Sequence, residues 1–191
     1  KILDFEPDLI IANKEENRKV QIEKLQEFCP VYVSDVDTIP SALEMISDIG
    51  RLCGKEEMAN KIALDIEVQF QNFQPKKNIQ KERVAYLIWN DPIMTVGGDT
   101  FISHVLEWFQ WENIFHRESR YPKITMKELQ AAQPDRLLLS SEPYEFTEEH
   151  VPYFKQFLPE TRIQLVDGER FSWYGSRMKH APPYIHAVRH S

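Results

Sequence analysis

The stretch Glu56-Glu57-Met58-Ala59-Asn60-Lys61-Ile62-Ala63-Leu64-Asp65-Ile66-Glu67-Val68-Gln69-Phe70-Gln71-Asn72-Phe73 decides the fold. Met58, Ile62, Ile66, Phe70 and Phe73 recur every three or four residues, with Ala59 and Ala63 beside them. A helix turns once in about 3.6 residues, so this spacing predicts one α-helix over 56–73 with a continuous apolar stripe and no internal breaker. Its surroundings give it meaning. An α/β pattern precedes it and a second α/β pattern follows it. A long helix between two parallel-sheet units reads as a stiff strut joining two lobes, not as a flexible hinge pair.

Upstream, Leu9-Ile10-Ile11-Ala12 after Pro7-Asp8 reads as a buried parallel strand. Asn13 is the expected cap of a helix over 15–28, with Ile22, Leu25 and Phe28 on its inner face. Pro30 stops it, and Val31-Tyr32-Val33 is the next strand, so the unit needs a right-handed crossover. Thr38-Ile39-Pro40 opens a helix with Leu43, Ile46 and Ile49 inward, closed by Gly54. Pro75-Lys76-Lys77-Asn78 is read as the polar turn after the long helix.

Downstream, Val84–Trp89 is a strand and Asn90-Asp91-Pro92 a turn, with Asp99 as the expected cap of a helix over 100–111. That helix is expected to turn Phe101, Val105, Trp108 and Phe109 inward. Thr125 and Glu128 have capping-box spacing at the start of another helix. Leu137-Leu138-Leu139 and Ile163–Val166 are strands, with a helix from Thr147 to Phe157 between them. The expected organisation is residues 1–54 in an incomplete N-terminal lobe, 55–75 as the connecting helix and 76–191 as the C-terminal lobe.

The formal net charge of −7 argues against a nucleic-acid partner, since phosphate backbones demand a basic face. No apolar run is long enough to span a bilayer. Cys29 and Cys53 fit one disulfide or two thiols, and their spacing does not choose. Lys1-Ile2-Leu3-Asp4 carries neither an initiator Met nor a signal-peptide profile, so the natural N-terminus is expected upstream.

Open parallel sheets collect ligands beyond the carboxyl ends of their strands. Three aromatic-rich segments fall there: Trp89-Asn90-Asp91-Pro92, Arg120-Tyr121-Pro122, and Phe171-Ser172-Trp173-Tyr174-Gly175-Ser176-Arg177. Trp and Tyr bring flat faces with a polar edge, and Arg brings a planar fork of donors. Together they suit a large, partly aromatic ligand bearing carboxylates or amides. Catalytic signatures are absent: there is no nucleophile elbow, phosphate loop, dinucleotide fingerprint or CxxC. The reading is therefore a binder and not an enzyme. His180, His186 and His190 are read as a solvated C-terminal tail with no metal.

The chain resembles the helical-backbone class of periplasmic solute-binding proteins, which serve cobalamin, haem and ferric-siderophore importers. The residues that carry the resemblance are Phe5–Ala12, the 56–73 helix, Asp91–Gly97, Glu112–Phe115, Tyr121–Thr125 and Pro134-Asp135. Trp173-Tyr174-Gly175-Ser176-Arg177 is similar to the cobalamin-binding branch. The resemblance implies an α/β fold of two Rossmann-like lobes with parallel sheets, joined by one rigid helix, with ligand in the cleft. It implies a ligand site at Trp89, Asn90, Pro92, Met94, Tyr121, Trp173, Tyr174 and Arg177, faced by the loop Asn13 to Glu16. It also implies docking to an ABC permease, where the family's exposed Glu matches Lys127 with Glu128 beside it. The capping-box reading of Glu128 stands next to that one. The implied partners are a corrinoid or another iron or cobalt chelate and a membrane permease, with no resident cofactor. The protein is then a monomer, periplasmic or lipid-anchored outside the cytoplasm. A ferric-siderophore or haem binder, an α/β enzyme with its catalytic residues upstream, and a scaffold or sensor on the same fold remain alternatives.

Overall fold

The structure is a computed structural model that describes residues 1–73 and 81–191. The turn expected at Pro75-Lys76-Lys77-Asn78 lies outside the described residues. The chain divides into two compact units, Lys1–Val36 and Asp37–Ser191. The sequence places 37–54 with the first lobe. By its contacts that segment groups with the second unit, because its helix packs on the long helix that follows.

In the first unit, β1 (Ile10–Asn13) and β2 (Val31–Ser34) pair in parallel across α1 (Lys19–Gln26), with Ile10 opposite Val31. Helix α1 starts four residues later than expected, and Asn13 is not its cap. The Asn13 side chain accepts the Glu16 N–H at 2.7 Å, and the Asn13 N–H donates to the Asn17 side chain at 2.9 Å. This local turn competes with helix over 14–17. Phe28 was expected inside but is 67% exposed.

In the second unit, α2 (Ile39–Leu52) begins with Thr38 and Ser41 bonded reciprocally as a capping box and Pro40 in the first turn. Gly54 ends it at φ 60°, the left-handed conformation that glycine adopts most cheaply. Helix α3 (Glu56–Asn72) is unbroken, as its periodicity predicts. It buries Ala59, Ile66 and Phe70 and leaves Met58 exposed, so the stripe is narrower than expected. Gly50 lets α2 approach α3: a Cβ there would lie 2.3 Å from the Ala59 Cβ.

A five-stranded sheet follows, centred on the parallel strands β3 (Glu82–Trp89), β6 (Arg136–Ser140) and β7 (Arg162–Val166). Two short strands share the outer edge of β3. They are β4 (Met94–Thr95), antiparallel, and β5 (Trp111–Asn113), parallel. Between them, α4 (Phe101–Trp108) is capped by Thr100, whose hydroxyl accepts the Ser103 N–H at 3.2 Å. Asp99, the expected cap, instead accepts the Arg120 N–H at 2.5 Å. Helix α4 ends at Trp108 because Trp111 turns into β5, where it is fully buried.

Helix α5 (Met126–Ala132) has the expected capping box, and α6 (Val151–Phe157) follows one 3₁₀ turn begun at Thr147. Both faces of the sheet are covered, which is why the inner parts of β3 and β6, residues 84–89 and 137–139, read as apolar runs. Ala85, Leu87, Leu137 and Leu139 pack with Leu129, Phe146 and Phe154. On the other face Tyr86 meets Phe171 of α7 (Glu169–Ser172), ring centres 5.2 Å apart. The C-terminus corrects the reading of a solvated tail. Helix α8 (Ala181–His190) carries its prolines in the first turn, where no N–H is needed, and buries Ala181, Pro182 and Ile185.

The amino-end edge of the sheet holds a buried cation. The Arg136 guanidinium, 3% exposed, donates to Glu82 at 2.9 Å and to the Val188 and Arg189 carbonyls of α8 at 2.7 and 3.2 Å. It also donates to Gln164, and it lies 5.7 Å from the Trp111 ring centre. Trp111 Nε1 donates to the same Glu82 carboxylate at 2.8 Å.

Candidate functional site

Parallel strands β3, β6 and β7 end at one edge, so the loops after them gather on one side of the sheet. After β3, Trp89 is 38% exposed, and its indole N–H donates to the Asp91 carbonyl at 3.1 Å. After β6, Tyr144 lies 5.6 Å from the Trp89 ring. Its hydroxyl meets His150 Nε2 at 2.8 Å. His150 Nδ1 accepts the Thr147 N–H at 3.0 Å, so Nε2 carries the proton and donates to Tyr144. Next to this cluster is an open cavity of about 430 Å³ lined by Asn90, Asp91, Ile93, Glu149, His150 and Tyr153.

After β7, the Arg177 guanidinium stacks 4.8 Å above the ring of Trp173, itself 45% exposed, and pairs with Glu169 at 2.5 Å. Gly175, at φ 113°, turns the chain between them. Tyr174 points elsewhere, edge-on to Phe101 of α4 at 5.6 Å. The loops after β6 and β7 are tied together. The Ser172 hydroxyl donates to Glu142 at 2.6 Å, and the Gly168 N–H donates to Ser141 at 3.0 Å. A Cβ on Gly168 would sit 2.3 Å from the Ser140 hydroxyl. This cross-bonding holds the aromatic rim in place before anything binds.

Met94 and Tyr121 belong to adjacent segments. Thr95 N–H donates to the Pro122 carbonyl at 3.1 Å, and Gly97 N–H to the Arg120 carbonyl at 2.7 Å. Arg120 lies 5.7 Å from the Tyr121 ring centre. Pro92 is exposed in the turn after Trp89. The structure thus groups Trp89 and Asn90 at the β3 end, Trp173 and Arg177 at the β7 end, and Met94 with Tyr121 at the outer edge.

Sequence reasoning missed Tyr144, Glu149, His150 and Tyr153. The rule that found Trp89 also applies to Ser141-Glu142-Pro143-Tyr144, which directly follows the carboxyl end of β6. The two acids, Asp91 and Glu149, make the cavity an electronegative one. Glu128 is in the first turn of α5. Its carboxylate accepts the Thr125 N–H at 2.7 Å and the Thr125 hydroxyl at 2.8 Å. The backbone hydrogen bond, then the hydroxyl, holds its pKa below the ordinary carboxylate value. Cys29 and Cys53 are free thiols. Among the described residues, no group of three or more His, Cys, Asp or Glu side chains is placed to hold a metal. No helix among them is long and apolar enough to cross a membrane.

A largely parallel sheet covered on both faces, with aromatic loops beyond its carboxyl edge, is the α/β architecture in which ligands collect at that edge. The chain belongs to the periplasmic binding protein family, whose sequence pattern it matches over residues 1–163. It is 30% identical over 143 residues to the vitamin B12-binding protein of Vibrio campbellii, a match covering 73% of this chain and 52% of that one. The chain therefore spans about half the length of the curated relatives it matches. Its fold is that of the periplasmic vitamin B12-binding protein BtuF of Vibrio cholerae, with a TM-score of 0.83 at 21% identity over 97% of this chain and 75% of that one. The periplasmic haem-binding protein HutB of Vibrio cholerae superposes with a TM-score of 0.80 at 20% identity, covering 100% of this chain and 79% of the other.

Proposed function

We propose that this chain is part of the extracytoplasmic solute-binding component of an ABC importer. It captures a large metal-containing ligand, cobalamin first, and delivers it to a permease without chemistry. The observation that carries the reading is the cavity beside Trp89 and Tyr144, at the edge of the sheet where binding loops gather. Family membership and the vitamin B12-binding relatives support it. The Trp89 and Trp173 faces, each partly exposed, are platforms for a flat macrocycle. Asn90 and the carboxylates of Asp91 and Glu149 accept hydrogen bonds from peripheral amide N–H groups. The same carboxylates repel an anionic ligand, which favours the neutral amides of a corrinoid over haem propionates or a ferric catecholate.

The protein works outside the cytoplasm in this reading, periplasmic or lipid-anchored, and docks through Glu128 on the permease side. The test mixes purified protein, extended to the full length of its relatives, with cyanocobalamin, haem and a ferric siderophore separately. Visible absorbance is read after desalting. Retention of cobalamin alone is the expected result. Retention of haem or siderophore in its place reverses the ligand assignment, and retention of none overturns the binder.

A further inference from the structure

The last helix carries two imidazoles one turn apart that nothing in the binding site uses. His186 and His190 of α8 lie i, i+4, with ring centres 4.2 Å apart and planes inclined by 31°. His190 Nδ1 lies 2.7 Å from the His186 carbonyl oxygen. A carbonyl only accepts, so Nδ1 of His190 carries the proton and donates, and Nε2 keeps its lone pair. Donation of the second ring N–H to a backbone carbonyl is the arrangement that orients metal-ligating histidines and raises their basicity. His186 is held at its other side by the edge of Phe73, ring centres 5.5 Å apart, and its ring nitrogens have no hydrogen-bond partner among the described residues. His190 is exposed, so an ion reaches the pair from solvent. His190 sits in the last turn of its helix, where the helix dipole favours positive charge.

We propose that His186 and His190 form a two-imidazole site for a borderline divalent transition-metal ion of the Zn²⁺, Ni²⁺ or Cu²⁺ class. Imidazole nitrogen suits these ions and not Mg²⁺ or Ca²⁺, which take oxygen ligands. Water completes the coordination, since no third His, Cys, Asp or Glu converges there among the described residues. Binding is a ligand exchange: each imidazole lone pair replaces one bound water, and no electron is transferred. The ion braces the end of α8, the same turn whose Val188 and Arg189 carbonyls hold Arg136.

The test uses chelator-stripped protein and NiCl₂ or ZnCl₂ as probes in isothermal titration calorimetry, with circular dichroism to verify that each variant is folded. The expected result is one ion per chain. Affinity falls by about tenfold or more in both His186→Ala and His190→Ala and is unchanged in His180→Ala. Nitrogen-15 NMR of the imidazoles provides a readout independent of affinity, with His190 in the Nδ1–H form and both Nε2 signals shifting on metal addition. Equal affinity in parent and His190→Ala, no binding by the parent, or His190 in the Nε2–H form overturns the site.

Discussion

Trp173 presents nearly half its surface to solvent with Arg177 stacked on one face, so its other face is available to a macrocycle. Trp173→Ala removes that platform and is expected to weaken cobalamin binding by about 1–3 kcal/mol, measured by equilibrium dialysis. Unchanged affinity takes Trp173 out of the site. His104 on α4 behaves differently. Among the described residues its buried Nε2 has no hydrogen-bond partner, nor has the Nε1 of Trp108 one turn on. Burial pushes the His104 pKa below its ordinary 6.5, against the opposing pull of Glu107 and Asp37. Between the folded value and about 6.5 the unfolded chain binds more protons, so acid favours unfolding there. The contribution of neutral His104 is therefore complete above about pH 6.5 and is lost as pH falls through the folded value. His104→Gln should flatten the dependence of Tm on pH below about 6.5. An unchanged slope assigns the acid sensitivity to other groups.

Helices and strands were legible where one period ran long enough to be unambiguous. Helix α3 repeats its apolar residues over seventeen residues, and β3 and β6 hold apolar runs at 84–89 and 137–139, so both kinds of element were identified with their type. Capping chemistry at Thr125 was equally readable, whereas the Thr38–Ser41 box was hidden behind a start read from Pro40 alone. Helix α8 was not, because His-Ala-Pro-Pro looks like a stop unless the prolines fall in a first turn. Asn13 and Asp99 misled for one shared reason: a short polar side chain caps a helix or bonds to a turn or neighbouring loop, and only the surroundings choose. Trp89 and Trp173 could be named from their places after strands, whereas His150 and Tyr153 become neighbours of Asn90 only when α6 folds back. At this scale the close approach of α2 and α3 is testable. Gly50→Ala puts a methyl group against Ala59 and should cost about 1–3 kcal/mol in urea unfolding. Adding Ala59→Gly should recover the part due to the clash. No recovery means the helices are not held at that point.

For the molecule as a whole, the proposed function asks two things of this chain, holding a ligand and meeting a permease. In the proposed function the ligand meets the loops after β3, β6 and β7, and the permease meets Glu128 at the start of α5. Glu128→Gln keeps a side chain able to close the capping box but removes the charge. It is expected to leave Tm and cobalamin affinity close to those of the parent while lowering ligand-stimulated ATP hydrolysis by the reconstituted permease. ATPase stimulation equal to that of the parent returns Glu128 to its capping role alone. The Arg136 cluster has a consequence in time. Two of the oxygens that surround this guanidinium come from residues 188 and 189, more than fifty positions further along the chain. While the ribosome has made only the strands, the cation at their foot remains incompletely coordinated, and drawing it out of water is unfavourable. The larger unit thus locks only after residue 189 is made, so nascent chains stalled before α8 should stay sensitive to protease.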